Sequence, residues 1–323
     1  MSLTWDGDSA EGLAPIALDY ERKQFLFSSG GAAAPPPDGA TIVDGSFRLF
    51  PIDLAKRRER SVFFLSGAAG SGKSYLSTEI AEMYRLAGRP VLIITDVRDP
   101  KFDRLDAEYL DIDELVGPDP AFDEAQARYR AAKTRMRHYL RIARDRLQVE
   151  DIVAMEARVE EEKPDRRLFS SQRLLLEGKA FDDFFRDALV IFDDYETNAD
   201  VKRISFLRDD LLVKGRHLNT SLVICNHTLN DGHAFRLIKQ EATDFVLYRS
   251  VEPSKATYFM EKTLGMEKSA VARTLLTLES NRWCCLSRWA RAAISPSSVF
   301  TWDFERRGGG AGPGGSGGAG HPP

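Results

Sequence analysis

With 323 residues, 43% of them apolar and 29% charged, the chain can bury a full core, as one large α/β domain or two smaller ones. A formal net charge of -4 excludes a protein basic throughout, so contact with nucleic acid has to come from a local patch or from an assembled ring. The three cysteines, Cys225 and the adjacent Cys284 and Cys285, offer neither a disulfide framework nor C-x-x-C metal spacing, and free thiols in a reducing compartment are expected.

The first residues carry Asp6, Asp8 and Glu11 and lack a basic start followed by an apolar run, which argues against a secretory leader. No apolar stretch is long enough to span a bilayer, so a soluble, intracellular protein is expected. Residues 1–40 read as a flexible segment ending in a Pro/Ala/Gly linker at 30–40, and 306–323 as a disordered Gly-rich tail. Between them, 41–305 is expected to form the folded domain. Residues 41–52 alternate weakly, as an edge strand does, and carry no recognisable site. The basic run Lys56-Arg57-Arg58-Glu59-Arg60 reads as a nuclear address or as a solvated lead-in to the first core strand.

The segment 61–77, SVFFLSGAAGSGKSYLS, organises the rest. An apolar run at 62–65 ends in Gly67-Ala68-Ala69-Gly70-Ser71-Gly72-Lys73-Ser74, which satisfies G-x-x-x-x-G-K-[ST], and a helical pattern follows from Tyr75 to residue 86. Small residues let the chain curl so that successive backbone N–H groups point inward, and the following helix presents its positive end to the same anion. Gly67, Gly70 and Gly72 supply the dihedrals of the curl. Lys73 can reach the β- and γ-phosphate oxygens of ATP, and the Ser74 hydroxyl is placed to ligate the bridging Mg²⁺. Residues 67–75 are therefore the expected nucleotide-binding segment.

Four further apolar runs, 91–94, 189–192, 222–225 and 245–248, are separated by helix-length segments, which predicts parallel strands covered on both faces and a three-layer α/β core. Between the second and third runs, about 100–186 is too long for a simple crossover and reads as a mostly helical insertion. Within it Arg128, Arg130, Lys133, Arg135, Arg137, Arg141, Arg144 and Arg146 stand against one acid, Asp145. Tyr129, Ala132, Met136, Tyr139 and Ala143 recur at helical spacing, so one stripe can be buried while cations project elsewhere. That face is either solvated and partly neutralised by Glu156 and 160–162, or a surface for a phosphate backbone.

The third run ends in Asp193-Asp194. Asp193 at the strand tip suits Mg²⁺, usually through water. Asp194 suits orientation or activation of the attacking water, or serves as a loop or helix-capping carboxylate. The fourth run ends in Asn226-His227; Asn226 can sense the γ-phosphate, and His227 is the alternative for that task. Gly215-Arg216-His217 stands ahead of this strand, after a helix expected over 202–214. Arg216 there faces away from its own nucleotide and reads as an arginine supplied to a neighbouring subunit or as a surface residue capping that helix.

In this order the motifs resemble the FtsK/HerA superfamily of P-loop ATPases and, more narrowly, the genome-packaging ATPases of poxviruses and other nucleocytoplasmic large DNA viruses. The final 254–305, with a helix pair and closing strands, is similar to that family as well. The resemblance implies an ASCE-type, RecA-like fold and a homo-oligomeric ring that hydrolyses ATP with Arg216 acting in trans. It implies translocation of double-stranded DNA without regard to sequence into a preformed capsid, and a capsid or membrane-associated virion protein as partner. The setting it implies is host cytoplasm or viral factory, or the virion. The sequence departs from the wider superfamily, which commonly has Asp-Glu and Gln where Asp193-Asp194 and Asn226 stand. A small-molecule P-loop kinase, with the basic insertion as a lid, and a nucleotide-gated scaffold with little turnover are the competing readings.

Overall fold

The computed structural model describes residues 3–5, 14–28, 41–43, 45–51, 54, 60–105, 107–118, 120–143, 148–163, 174–229 and 233–302. The five apolar runs form the strands β6 (Val62–Ser66), β7 (Val91–Thr95), β9 (Leu189–Asp193), β10 (Ser221–Asn226) and β11 (Asp244–Tyr248), all buried along nearly their whole length. They pair in parallel in the order β11-β6-β10-β9-β7, extended by the two-residue β8 (Glu108–Tyr109) at the edge. On the other side β11 pairs antiparallel with β12 (Trp283–Ser287), followed by β13 (Ala292–Ile294), β14 (Ser298–Thr301) and β4 (Thr41–Val43).

Successive residues of each strand serve opposite faces. Phe64, Phe192, Ile224 and Phe245 belong to one apolar cluster, Leu65, Ile191, Val223 and Val246 to another. The first face is covered by helices including α6 (Val201–Leu218), α7 (His233–Glu241), α8 (Pro253–Lys262) and α9 (Lys268–Ser280). The second is covered by α1 (Lys73–Leu86), through Leu76, Ile80, Ala81 and Tyr84. The result is a three-layer, mainly parallel α/β fold. The strand from the phosphate loop and the strand ending in paired acids are separated by β10, which is the RecA-like, ASCE-type order.

The amino-terminal region differs from the flexible segment expected over 1–40. Its described residues form β1 (Leu3–Trp5), β2 (Ala14–Asp19) and β3 (Gln24–Ser28), which with β5 (Phe47–Leu49) make a separate antiparallel sheet. Ile16, Ala17, Leu26, Phe47 and Leu49 join the cluster that covers β12, β13 and β14. β5 alternates buried, half-buried and buried, whereas β2 buries Pro15, Ile16 and Ala17 in a row at a register shift against β3, and together they finish the second face where α1 does not reach. The linker at 30–40, the run 56–59 and the tail from 303 lie outside the described residues.

The insertion contains α2 (Ile112–Leu115), α3 (Pro120–Ile142), α4 (Val149–Glu161) and α5 (Lys179–Phe185). At 1.5 Å per residue α3 is about 35 Å long. It packs on α4 as an antiparallel hairpin, with the Tyr129 hydroxyl donating to Glu160. The seam of α3 is Ala125, Tyr129, Ala132, Met136 and Leu140, whereas Tyr139, expected in it, is exposed. Tyr139 completes the strict heptad spacing from Ala132, but the hairpin takes the neighbouring position one helical turn after Met136, which is Leu140. Arg128, Arg130, Lys133, Arg135, Arg137 and Arg141 are exposed; Arg144, Asp145 and Arg146 lie outside the described residues.

Gly215, Arg216 and His217 are helical, since α6 continues to Leu218 and stops at Asn219 in the left-handed region, φ 55°. Gly215 has a packing reason: a Cβ there would sit 2.6 Å from Arg60 Nη1. Arg60, with only 6% of its side chain exposed, donates to the carbonyls of Leu211 and Leu212 and to Glu241 at 2.7 Å. Glycine to alanine inside a helix ordinarily adds about 0.5–1 kcal/mol of stability. Gly215→Ala is expected to reverse that sign and destabilise by about 1–3 kcal/mol, because the buried guanidinium has nowhere to move; urea unfolding of the two proteins measures it.

Candidate functional site

The loop after β6 is held from behind by side chains of distant segments. Tyr248 donates its hydroxyl to the Gly72 carbonyl at 3.1 Å, and Arg282 donates to the carbonyls of Ser71 at 2.6 Å and Gly70 at 3.2 Å. Ser250 Oγ accepts from the Ala68 N–H at 2.8 Å, and the Asn226 carbonyl accepts from the Gly67 N–H at 3.2 Å. Gly70 and Gly72 have φ of 71° and 106°, as the curl requires, whereas Gly67 is glycine for another reason. Its Cβ would lie 2.6 Å from Tyr248 Cβ. Ala68, Ala69 and Gly70 are exposed at the mouth, and Tyr75, on the first turn of α1, is also exposed. A cleft of about 590 Å³ opens beside the loop between Ser71, Arg249, Asn281 and Arg282.

Lys73 is buried, and its ammonium donates to the carbonyls of Gly67 at 2.8 Å and Ala68 at 3.2 Å. Its third contact is His227 Nδ1 at 3.5 Å. An ammonium has three donors and no acceptor, so Nδ1 must accept, which leaves the imidazole hydrogen on Nε2. Nε2 faces Asp194 Oδ1 at 3.3 Å. His227 thus bridges Lys73 and Asp194, while its own backbone N–H donates to Glu196 Oε2 at 2.8 Å.

Asp193 and Asp194 occupy opposite environments. Asp193 is buried beneath the loop, and burial pushes its carboxyl up from the ordinary range, against a hydrogen bond from Ser74 that pulls it down. Its Oδ1 has no hydrogen-bond partner. A desolvated carboxylate beside a hydroxyl fits a hard cation held by few protein ligands, and among the described residues no cluster of three His, Cys, Asp or Glu side chains forms a protein-only cage. Asp194 has turned out of the strand at φ 47°, and 53% of its side chain is exposed. It is not the cap of the following helix, whose N-cap is Asp200.

Asn226 is buried and fixed from below. Arg208 donates to the Tyr195 hydroxyl at 2.8 Å, and that hydroxyl contacts Asn226 Oδ1 at 3.2 Å. Guanidinium cannot accept, so the phenol hydrogen goes to Asn226, whose amide nitrogen is then turned away from Tyr195 as a donor. Arg208 is itself buried, with its charge met by Asp209 at 2.6 Å.

Arg216 is not part of this cluster. It lies on the last turn of α6, which feeds the start of β10, so a strand length of about 20 Å separates it from the loop. Its side chain is 77% exposed and reaches Glu241 at 3.5 Å. The structure therefore brings Lys73, Ser74, Asp193, Asp194 and Asn226 together and leaves Arg216 at the opposite end of the sheet. Sequence reading missed Tyr195, Glu196, Arg208, Ser250 and Arg282, whose positions relative to the loop follow no local motif. Of these, Tyr195 and Glu196 follow directly on the Asp193-Asp194 strand tip that the sequence marks, and that adjacency is the one signal that could have found them.

No family model matches the chain. An uncharacterised protein V3 of the Sputnik virophage is 26% identical over 108 residues, a stretch that spans 32% of this chain and 43% of that relative. Similar solved structures include the genome-packaging NTPase B204 of Sulfolobus turreted icosahedral virus 2 bound to ATP-γS, 11% identical with a TM-score of 0.39 over 73% of this chain and 96% of that one. VirB4 of Thermoanaerobacter pseudethanolicus is 13% identical, TM-score 0.40, over 84% and 98%. The cytoplasmic domain of the Type VII secretion ATPase EccC of Thermomonospora curvata is 14% identical, TM-score 0.36, over 91% and 29%.

Because burial raises the Asp193 carboxyl, the folded state binds this proton more tightly than the unfolded chain does. That contribution to stability is present at low pH and is lost as pH rises through the raised value. Without nucleotide or Mg²⁺, Asp193→Asn is expected to melt a few degrees above the parent at pH 8, roughly the effect of 1 kcal/mol. The gap should close toward the ordinary carboxylate range; calorimetry at several pH values checks this. Tyr195→Phe is expected to release Asn226 and to destabilise the fold by about 1 kcal/mol, through the loss of a buried hydrogen-bonded hydroxyl, as urea unfolding of the two proteins would read.

Proposed function

We propose that the chain is an FtsK/HerA-type ATPase that drives double-stranded viral DNA into a preformed capsid as a homo-oligomeric ring. The observation that carries this reading is the division of charged groups between the two ends of the parallel sheet. Lys73, Ser74, Asp193, Asp194 and Asn226 meet at one end. Arg216, exposed on the last turn of α6 beside Glu241, projects from the other, which supports its supply to a neighbouring copy's site.

In this reading the loop 67–73 binds the triphosphate through its N–H groups and Lys73, and the cleft beside Ser71 and Arg282 takes the nucleoside end. Ser74 and Asp193 would hold Mg²⁺, which would supply neutralisation of the phosphate charge. Asp194, exposed and next to the buried Asp193, orients a water and accepts its proton. Asn226, its oxygen tied down by Tyr195, donates to the γ-phosphate or to that water. Arg216 of one subunit completes the neighbour's site, which makes turnover a property of the boundary between subunits. Changes at that boundary reorient subunits and move the surfaces that hold DNA.

The α3–α4 hairpin is the candidate for that grip. Arg128, Arg130, Arg135 and Arg137 have no ion pair among the described residues, although acids line α4, which favours a phosphate-backbone surface over a self-neutralised one. Such contacts are insensitive to sequence and sensitive to salt. A host cytoplasmic or viral-factory setting, with a capsid or membrane-associated virion protein as partner, accompanies this role.

Purified protein should hydrolyse ATP faster with duplex DNA of any sequence. Transfer of the phosphoryl group to a metabolite would instead favour a kinase, and tight binding without turnover a nucleotide-gated scaffold. Lys73→Ala should lose nucleotide binding, and Asp194→Asn should bind ATP while turning over about 10²-fold or more slowly. Arg216→Ala is expected to lose about 10³-fold or more, yet mixed with Asp194→Asn it should regain activity at boundaries that hold both groups. Absence of any rescue would refute supply in trans. Replacing Arg128, Arg130, Arg135 and Arg137 together should flatten the salt dependence of DNA binding, by about one unit of slope for each phosphate those side chains neutralise.

A further inference from the structure

We infer that His227 is a positioning residue that latches Lys73 and Asp194 to each other in the nucleotide-free protein, and that the terminal phosphate of a bound nucleoside triphosphate displaces it. The inference rests on Lys73 and Asp194 acting as proposed above and gives His227 a role different from the γ-phosphate sensing for which the sequence offers it as an alternative. It stands on three contacts of one residue: Nδ1 with Lys73 Nζ at 3.5 Å, Nε2 with Asp194 Oδ1 at 3.3 Å, and the backbone N–H held by Glu196 at 2.8 Å.

The ring lies between the two groups that a triphosphate and its attacking water have to separate. All three hydrogens of the Lys73 ammonium are directed at protein acceptors, the carbonyls of Gly67 and Ala68 and the imidazole of His227. Of these, the carbonyls belong to the loop itself and are shorter contacts, while that with His227 is the longest and is made by a side chain free to rotate. A phosphate oxygen, carrying charge, is the stronger acceptor for an ammonium. The contact with His227 is therefore the one that binding breaks. On the other side, the Nε2–H fixes one oxygen of Asp194, an exposed carboxylate on a left-handed residue that has no other side-chain ion pair among the described residues. His227 is half-exposed and tethered through its backbone to Glu196, so its side chain can swing while its Cα stays in place.

The two contacts have separable effects. The bond to Lys73 competes with the nucleotide, so removing it raises affinity. The bond to Asp194 orients the carboxylate, so removing it lowers turnover. Asparagine can present an oxygen where Nδ1 stands and cannot reach Asp194, whereas glutamine can present a nitrogen where Nε2 stands and leaves Lys73 free. The pair of variants divides the ring's two functions, and neither exchange opens a cavity in a core, because the position borders solvent.

The test measures binding of Mg·ATPγS by calorimetry and steady-state ATP turnover on the full chain carrying His227→Ala, His227→Asn or His227→Gln. His227→Ala is expected to bind ~5-fold more tightly and to turn over ~10-fold more slowly. His227→Asn should keep the parent's affinity with the slow turnover, and His227→Gln should show the tighter affinity with turnover partly restored. In ¹⁵N-histidine spectra, the His227 signal, identified by its absence from the Asn variant, should report the Nε2–H tautomer without ligand and shift on addition of Mg·ATPγS. Parent-like affinity and turnover in His227→Ala, parallel losses in all three variants, or a His227 signal unchanged by ligand would overturn the latch. Failure of the parent itself to bind Mg·ATPγS would instead refute the ATPase reading on which it rests.

Discussion

Parallel pairing of β10 with β6 on one side and β9 on the other is the constraint from which the site follows. The register sets Asn226 opposite Ser66 and Ile224 opposite Phe192, so the phosphate loop, the paired acids and the Asn226-His227 tip all emerge from the same end of the sheet. The pairing is held by apolar burial on both faces: Val62, Phe64, Val190, Phe192, Leu222 and Ile224 are sealed under the helices, and Phe63, Leu65, Leu189, Ile191 and Val223 under α1 and the amino-terminal sheet. A one-residue slip would exchange the two sets and move Asp193 off its contact with Ser74.

At that end the charges are satisfied within the protein in ways a ligand can improve. Lys73 is held by two loop carbonyls and one imidazole, Asp193 is desolvated with one oxygen unpartnered, and Asp194 is steadied through His227. The resting site is thus cohesive enough to fold without nucleotide and poor enough, in hydrogen-bond strength, to yield to phosphate and a divalent cation. Asn226 differs, because the buried Arg208–Tyr195 chain fixes it regardless of ligand.

Helix α6 links this chemistry to the far end of the sheet. Arg208 supports the Asn226 amide from within the helix, and Arg216, two turns later and about 12 Å along the axis, stands exposed beside Glu241. Glu241 is also gripped by buried Arg60, which lies against Gly215. A rigid rod carrying an internal support at one place and an outward cation at another is suited to carry a shift at the site to the far end of the sheet.

Much of this was legible in the chain. The phosphate loop is a contiguous motif, and five apolar runs between helix-length segments specify a parallel sheet, because strands buried on both faces need no alternation. The Asp193-Asp194 tip stood out for the same reason, as two carboxylates ending an apolar run. The amino-terminal strands escaped: β1, β2 and β3 lie in a segment read as a flexible lead-in, and only their pairing with one another and with β5, and packing beside the closing strands, stabilise them. The seam of α3 was misplaced by one residue, since Tyr139 and Leu140 flank the same stripe and only the packed hairpin decides between them.

The sequence by itself determined which residues can bind a phosphate and a cation, because those groups act through local backbone and adjacent side chains. Tertiary structure alone decided what surrounds them: Arg282 behind the loop, Tyr195 and Arg208 beneath Asn226, and His227 between Lys73 and Asp194. Those partners are separated by 13 to more than 200 positions in the chain. No periodicity encodes such contacts, which arise only when the parallel register and the helical layers have fixed where each strand end lies.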